Sequence, residues 1–216
     1  MIDLGLAFSF PFADKDWFKK LIIPGLIGLI PLIGQIAFYG WWVEVARRVI
    51  RQQPDPLPEF SDFAGYLTDG LKGIVISLGL ALPIILFSIP LVVASAFVDS
   101  SEGQTVLAIL GICFACFTIP YSLLLALAVP ASIGQLAATG RIGEAIHPRK
   151  LLGLIRAAPG AYLLTILGTM AGGFIASAGI LLCGVGVIFT GAYAYAIQGH
   201  LYGQAHRAAT TAGAAV

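Results

Sequence analysis

The sequence predicts an all-α, polytopic integral membrane protein, and three observations lead there. Hydrophobic residues make up 58% of the 216 and charged ones only 11%, with a mean hydropathy of +0.93. A water-facing domain carries roughly 25% charged residues, so most of this exterior must face lipid. The twelve Lys and Arg residues fall in four clusters separated by apolar runs, and most of these runs are long enough for crossings of about 20 residues each. The expected architecture is a single domain, residues 1–216, of about three helical hairpins, the first short or re-entrant. Two interfacial amphipathic helices complete it on the cytoplasmic side.

The basic clusters set the expected topology. They are Lys15, Lys19 and Lys20; Arg47, Arg48, Arg51 and Lys72; Arg141, Arg149, Lys150 and Arg156; and Arg207. Lys and Arg accumulate in cytoplasmic loops, so both chain ends and all four clusters are expected inside, in the cell membrane. The segment 99–104 carries acids and no base, which suits an outside turn. Residues 73–140 and 157–206 hold no Lys or Arg and leave from and return to basic ground. Each must cross an even number of times. Residues 1–12 lack the basic n-region and small-residue cleavage site of a signal peptide, so the internal apolar runs are expected to direct insertion.

Taken in order, the first apolar run, residues 21–46, is long for one crossing and short for two. Pro24, Pro31 and Gly34 interrupt it, which predicts helices at about 17–31 and 34–52 turning near 31–34. Next, Phe60, Phe63, Leu67 and Leu71 recur at helical spacing opposite Glu59, Asp62 and Asp69. This predicts a surface-lying helix at 59–71, entered through the proline-rich stretch 51–58. Spans at 73–98 and 105–137 follow, each carrying two prolines that tend to kink a helix. His147-Pro148 opens a second interfacial helix at 148–157, proline being suited to a first turn. Its stripe is Leu151, Leu152 and Ile155. The last hairpin is expected at 161–179 and 184–206, with Gly168, Gly172 and Gly179 allowing close helix contact. Trp17, Trp41, Trp42, Tyr66, Tyr162 and Tyr202 fall near proposed boundaries, as an aromatic belt would. Cys113, Cys116 and Cys183 lie in apolar runs and are expected as reduced thiols packed between helices.

Few residues offer chemistry. Glu44 is an ionisable group near membrane depth, which suggests a proton relay or counter-charge. It also stands four residues before Arg48, the favourable order for a helical ion pair, and this reading outweighs the first. Gln198, His200 and Gln204, with His206 nearby, form a second polar group, and Gln35 sits in the broken first hairpin. His200 and Gln204 share a helix face, with Gly199 and Gly203 permitting a neighbour to approach. A metal asks for three or four ligands, which two histidines six apart supply poorly, so no metal or cofactor is expected. Phosphate loops, HExxH and GxSxG are absent from the sequence, and a net charge of +1 gives no nucleic-acid footprint. Residues 40–48 (GWWVEVARR) echo 199–207 (GHLYGQAHR), with Gly, Ala and Arg in register.

The segments AFSFPFADKDWFKKLIIPGLIGLIPLIGQ, GWWVEVARRV, PLPEFSDFAGYLTDGLKG and HLYGQAHRAA resemble a prokaryotic membrane-protein family, domain of unknown function 4013. The DKDWFKK and PLPEF motifs carry most of this, since hydrophobicity does not force them. Trp41-Trp42 departs from the tyrosine expected in many relatives. The resemblance implies a multi-spanning membrane protein and assigns no catalytic or binding residue. The expected role is therefore a non-catalytic component, a lipid-interacting scaffold or accessory subunit, with membrane lipids, other subunits or further copies of itself as partners. The alternative is a small oligomeric transporter or channel using the first hairpin and Glu44.

Overall fold

The computed structural model describes residues 2–55, 57–96, 101–181 and 186–213, and among these residues the only regular structure is helical. In order come α1 (Leu4–Ala13), α2 (Trp17–Ile27), α3 (Ile33–Ile50), α4 (Phe63–Ser95), α5 (Ser101–Thr139), the single turn α6 (Ile142–Ala145), α7 (Pro148–Ala157), α8 (Pro159–Ala178) and α9 (Gly186–Gly213). Among the described residues three helical stretches are long and apolar enough to cross a membrane: Phe63–Ser95, Gly103–Thr139 and Pro159–Leu181.

Helix α9 is the hub, packing against α1, α2, α3, α5, α7 and α8. Its buried face includes Ile197, His200, Leu201, Tyr202 and His206. A helix shielded by neighbours need not be apolar all round, which is why hydropathy does not single it out. Glycines set its distance from α3. A Cβ on Gly199 would lie 2.9 Å from the Trp42 oxygen, and one on Gly203 2.7 Å from the Ala46 oxygen, so two parallel helices meet nearly backbone to backbone. Helices α3 and α4 meet in the same way but antiparallel: a Cβ on Gly40 would overlap the Tyr66 carbonyl, and one on Gly70 the Ile36 carbonyl. Gly40 and Gly199, which share a place in the echo between 40–48 and 199–207, thus both serve close helix contacts.

Helices α4 and α5 run antiparallel, tied by the Tyr121 hydroxyl donating to the Leu80 carbonyl at 2.7 Å and by Phe87 stacked on Phe117. At 1.5 Å per residue they are ~50 and ~58 Å long, and only 6% of the most apolar window of each is buried, against 22% in α8. Phe87, Val92, Val93, Val106, Ile109 and Ile112 all stand exposed. Such a surface is stable only in an apolar medium.

The structure corrects the sequence reading in several places. The segment 59–71 is not a separate surface helix: from Phe63 it forms the first turns of α4, because Asp62 caps it by accepting from the Gly65 amide at 2.9 Å and nothing interrupts the run that follows. Helix α1 was not foreseen. It is apolar on all sides and contains Pro11, so it lacks an amphipathic period, and the Asp3 cap onto the Leu6 amide is its one start signal. Trp41, Trp42, Tyr66, Tyr162 and Tyr202 are buried and form core, not belt. Cys113 and Cys116 are free and exposed on α5, not packed between helices; Cys183 and residues 99 and 100 of the acidic segment lie outside the described residues, while 101–104 open α5.

Candidate functional site

The four basic clusters meet at one end of the bundle. Lys19 and Lys20 share a cavity with Glu59 before α4, Arg207 shares another with Val49 near the end of α3, and Lys150 of α7 borders a third with Gln135 and Ala209. At this end Arg47 clamps three helices. Its Nη1 donates to Glu44 Oε2 of α3 at 2.5 Å, its Nη2 to Asp69 Oδ2 of α4 at 2.7 Å, and its Nε to the Ala137 carbonyl of α5 at 3.1 Å. Ala137 is among the last four residues of α5, whose carbonyls have no partner inside their own helix. A guanidinium there also suits the negative end of the helix dipole. The Leu136 carbonyl is taken by the Gly140 amide at 2.7 Å, with Gly140 at φ +68°, a conformation that glycine adopts without penalty.

The clamp extends sideways. Arg48 Nε lies 3.4 Å from Glu44 Oε1, and Lys72 Nζ 3.2 Å from Asp69 Oδ1. Both Glu44 oxygens are therefore engaged, as are both of Asp69. The linker that follows α3 is strapped down around this cluster. Arg48 donates to the Asp55 carbonyl at 3.1 Å, Trp41 Nε1 to the Pro58 carbonyl at 3.1 Å, and the Tyr66 hydroxyl to the Glu59 carbonyl at 2.6 Å. Leu57 is wholly buried. This is the physical content of the PLPEF motif: a strap held through the Pro58 and Glu59 carbonyls and the buried Leu57. The DKDWFKK motif is a turn of the same kind. Asp14 accepts from the Asp16 amide at 2.9 Å and from Lys20 Nζ at 2.6 Å. Burial raises the Asp14 carboxyl pKa, but Lys20 and the Asp16 amide outweigh it and hold the group below its ordinary value.

A second polar group joins α1 to α9. The Gln204 amide reads the Asp3 backbone on both sides: its oxygen accepts from the Asp3 N–H at 2.7 Å and its nitrogen donates to the Asp3 carbonyl at 3.1 Å. The same nitrogen donates to His200 Nδ1 at 2.9 Å, which leaves the ring proton on Nε2. Phe10 stacks on the His200 ring, with centroids 4.3 Å apart. Further along, the Tyr193 hydroxyl donates to the Phe8 carbonyl at 2.6 Å.

His206 faces elsewhere, its Nε2 donating to Gln135 Oε1 of α5 at 2.9 Å, while its Nδ1 is buried with no partner among the described residues. His200 and His206 thus serve different neighbours. Among the described residues no group of three or more His, Cys, Asp or Glu is placed to hold a metal. Gln35 is exposed and Gln198 half-buried, and neither joins these networks. Asp3, Asp69 and Gln135 do join them, and the sequence offered no sign of it, since their partners are far away along the chain.

Together the exposed apolar arm, the glycine-spaced core and the charge-clamped end define an all-helical membrane protein. Within that class, the family model described as protein of unknown function DUF4013 matches residues 23–199, and the chain belongs to that family. Glu44, Arg47, Asp69 and Gln135 lie inside the matched stretch; α1, His200, Gln204 and Arg207 lie outside it. No curated protein and no solved structure matches the chain.

Proposed function

We propose that this protein is a non-catalytic, lipid-interacting membrane scaffold, seated in the cell membrane with its charged end and both chain ends on the cytoplasmic side. Helices α4, α5, α8 and α9 cross, while α2 and α3 enter and turn back. The observation that carries the reading is the turn between α2 and α3. Leu29, Ile30, Leu32 and Ile33 are all more than half exposed there. The amides of Gly28, Leu29 and Ile30 donate to the Pro24, Leu26 and Ile27 carbonyls of α2, and that of Ile33 to the Pro31 carbonyl; Pro31 has no amide hydrogen to satisfy. Ile33 donates to the Pro31 carbonyl at 2.8 Å across Leu32, which is held at φ 61° and ψ −73°, the rare and strained form of the three-residue turn. An apolar tip whose Gly28, Leu29, Ile30 and Ile33 amides are paired internally suits hydrocarbon, where unpaired backbone groups are costly. Arg47 lies fifteen positions beyond Leu32, a rise of ~22 Å, short of the ~30 Å hydrocarbon core.

The state of Glu44 favours a scaffold over a transporter, because a transport carboxylate must exchange partners and this one is held by two arginines. In proteoliposomes the protein is expected to give no solute flux above that of empty vesicles. In native mass spectrometry it is expected to retain lipid. Flux that is lost on Glu44→Gln, or a chain that carries no lipid and no partner, would contradict the proposal.

A further inference from the structure

We propose that the cavity between α1 and the end of α9 binds a group bearing both a phosphate and a primary ammonium, the headgroup chemistry of phosphatidylethanolamine. The cavity holds about 540 Å³ and is lined by Asp3, Leu6, Val49, His200, Gln204 and Arg207 with three further residues of α9. This is within the ~300–1,000 Å³ usual for small-molecule sites. A neighbouring cavity of about 300 Å³ shares Leu6, Val49, His200 and Arg207, so these four residues line both hollows beside α1.

Two charges line this space, and among the described residues neither makes an ion pair. Arg207 is one of the basic residues without an acidic partner there, and the one that lines this cavity. Among the described residues the Asp3 carboxylate accepts only the Leu6 amide, through Oδ1, and makes no ion pair with Arg207. A cation and an anion that line one cavity without meeting are complementary to a zwitterion. His200 adds a fixed donor. Its ring is 4% exposed, clamped between Phe10 and the Gln204 amide, with its proton on Nε2. In the bound state Arg207 and His200 Nε2 hold the phosphate oxygens, Asp3 Oδ2 takes the ammonium, and Leu6 and Val49 line the apolar side. Charge-assisted contacts of this type are the strong ones.

This inference rests on the lipid-interacting reading but fails separately from it. The full chain, purified in mild detergent, is offered phosphatidylethanolamine, phosphatidylglycerol and phosphatidylcholine of matched acyl chains in native mass spectrometry. Preferential retention of phosphatidylethanolamine is expected, reduced about tenfold in Arg207→Gln. In Asp3→Asn, which keeps the helix cap and the backbone pairing with Gln204, the preference over phosphatidylglycerol should vanish. Glycerophosphoethanolamine, the water-soluble headgroup, distinguishes the source. If it competes, the site takes the free ester as well as the lipid; if it does not, the site takes the lipid alone, and both outcomes support the headgroup chemistry. Equal retention of all three lipids by the unaltered chain overturns the site and leaves the scaffold standing. A preference that both variants preserve also overturns it.

Discussion

Replacing Arg47 by Met is expected to destabilise the protein by about 3–5 kcal/mol, the cost typical of removing one partner from a buried ionic network. Three losses coincide. Glu44 keeps only Arg48, at 3.4 Å, and Asp69 keeps only Lys72. The Ala137 carbonyl loses its side-chain donor. The Arg47 side chain is only 14% exposed, so water cannot readily take its place. For a chain of this length each kcal/mol moves the melting temperature by about 2–4 °C, which gives a fall of roughly 6–20 °C in detergent. Arg47→Lys should recover little, because one ammonium cannot make three divergent bonds to three helices. Pairing Arg47→Met with Asp69→Asn should cost less than the sum of the two single changes, since the second removes the charge that the first strands. Additive effects would mean that the clamp is not a unit.

Gly40→Ala should lower the melting temperature by about 10 °C or more, and Gly40→Leu should abolish a monodisperse preparation. Even one methyl at Gly40 overlaps the Tyr66 carbonyl, a backbone atom that moves only if α4 moves. The reciprocal contact of Gly70 with the Ile36 carbonyl opens with it. The change therefore acts on a whole helix pair, with Arg47 and Asp69 attached to it. Gly79→Ala is the control. Gly79 has open space around its missing side chain, so alanine there should be neutral or stabilising by up to about 1 kcal/mol through helix propensity. Similar losses at both positions would contradict the close-packing account and point to a general intolerance of glycine replacement.

What the sequence disclosed was what is local. The spacing of Glu44 and Arg48 announces a helical pair, and His147-Pro148 with the stripe behind it marks a helix start. Apolar runs between basic clusters mark the membrane-facing stretches, because lipid imposes one simple rule on every exposed side chain. What stayed hidden depends on contacts between distant segments. Arg47 reads as one more basic residue until the fold brings Asp69 and Ala137 to it. Asp3 carries no local sign of a partner until Gln204 pairs with its backbone. The buried tryptophans and tyrosines misled for the same reason: an aromatic near a run's end can face lipid or core, and only packing decides. Helix α1 was missed because a decapeptide that is apolar but for Ser9 and contains a proline has no period to read.

The most direct test of the account is single-cysteine labelling with a membrane-impermeant maleimide, in a chain carrying Cys113→Ala, Cys116→Ala and Cys183→Ala. Gln104→Cys, near the start of α5, should label in intact cells. Arg51→Cys, beside the clamp, should label only after the membrane is opened, and Leu29→Cys, at the turn between α2 and α3, should label in neither state. Labelling of Leu29→Cys in intact cells would show that the turn reaches water, and labelling of Arg51→Cys from outside would place the charged end on the wrong face. Either result contradicts the arrangement from which the rest is built.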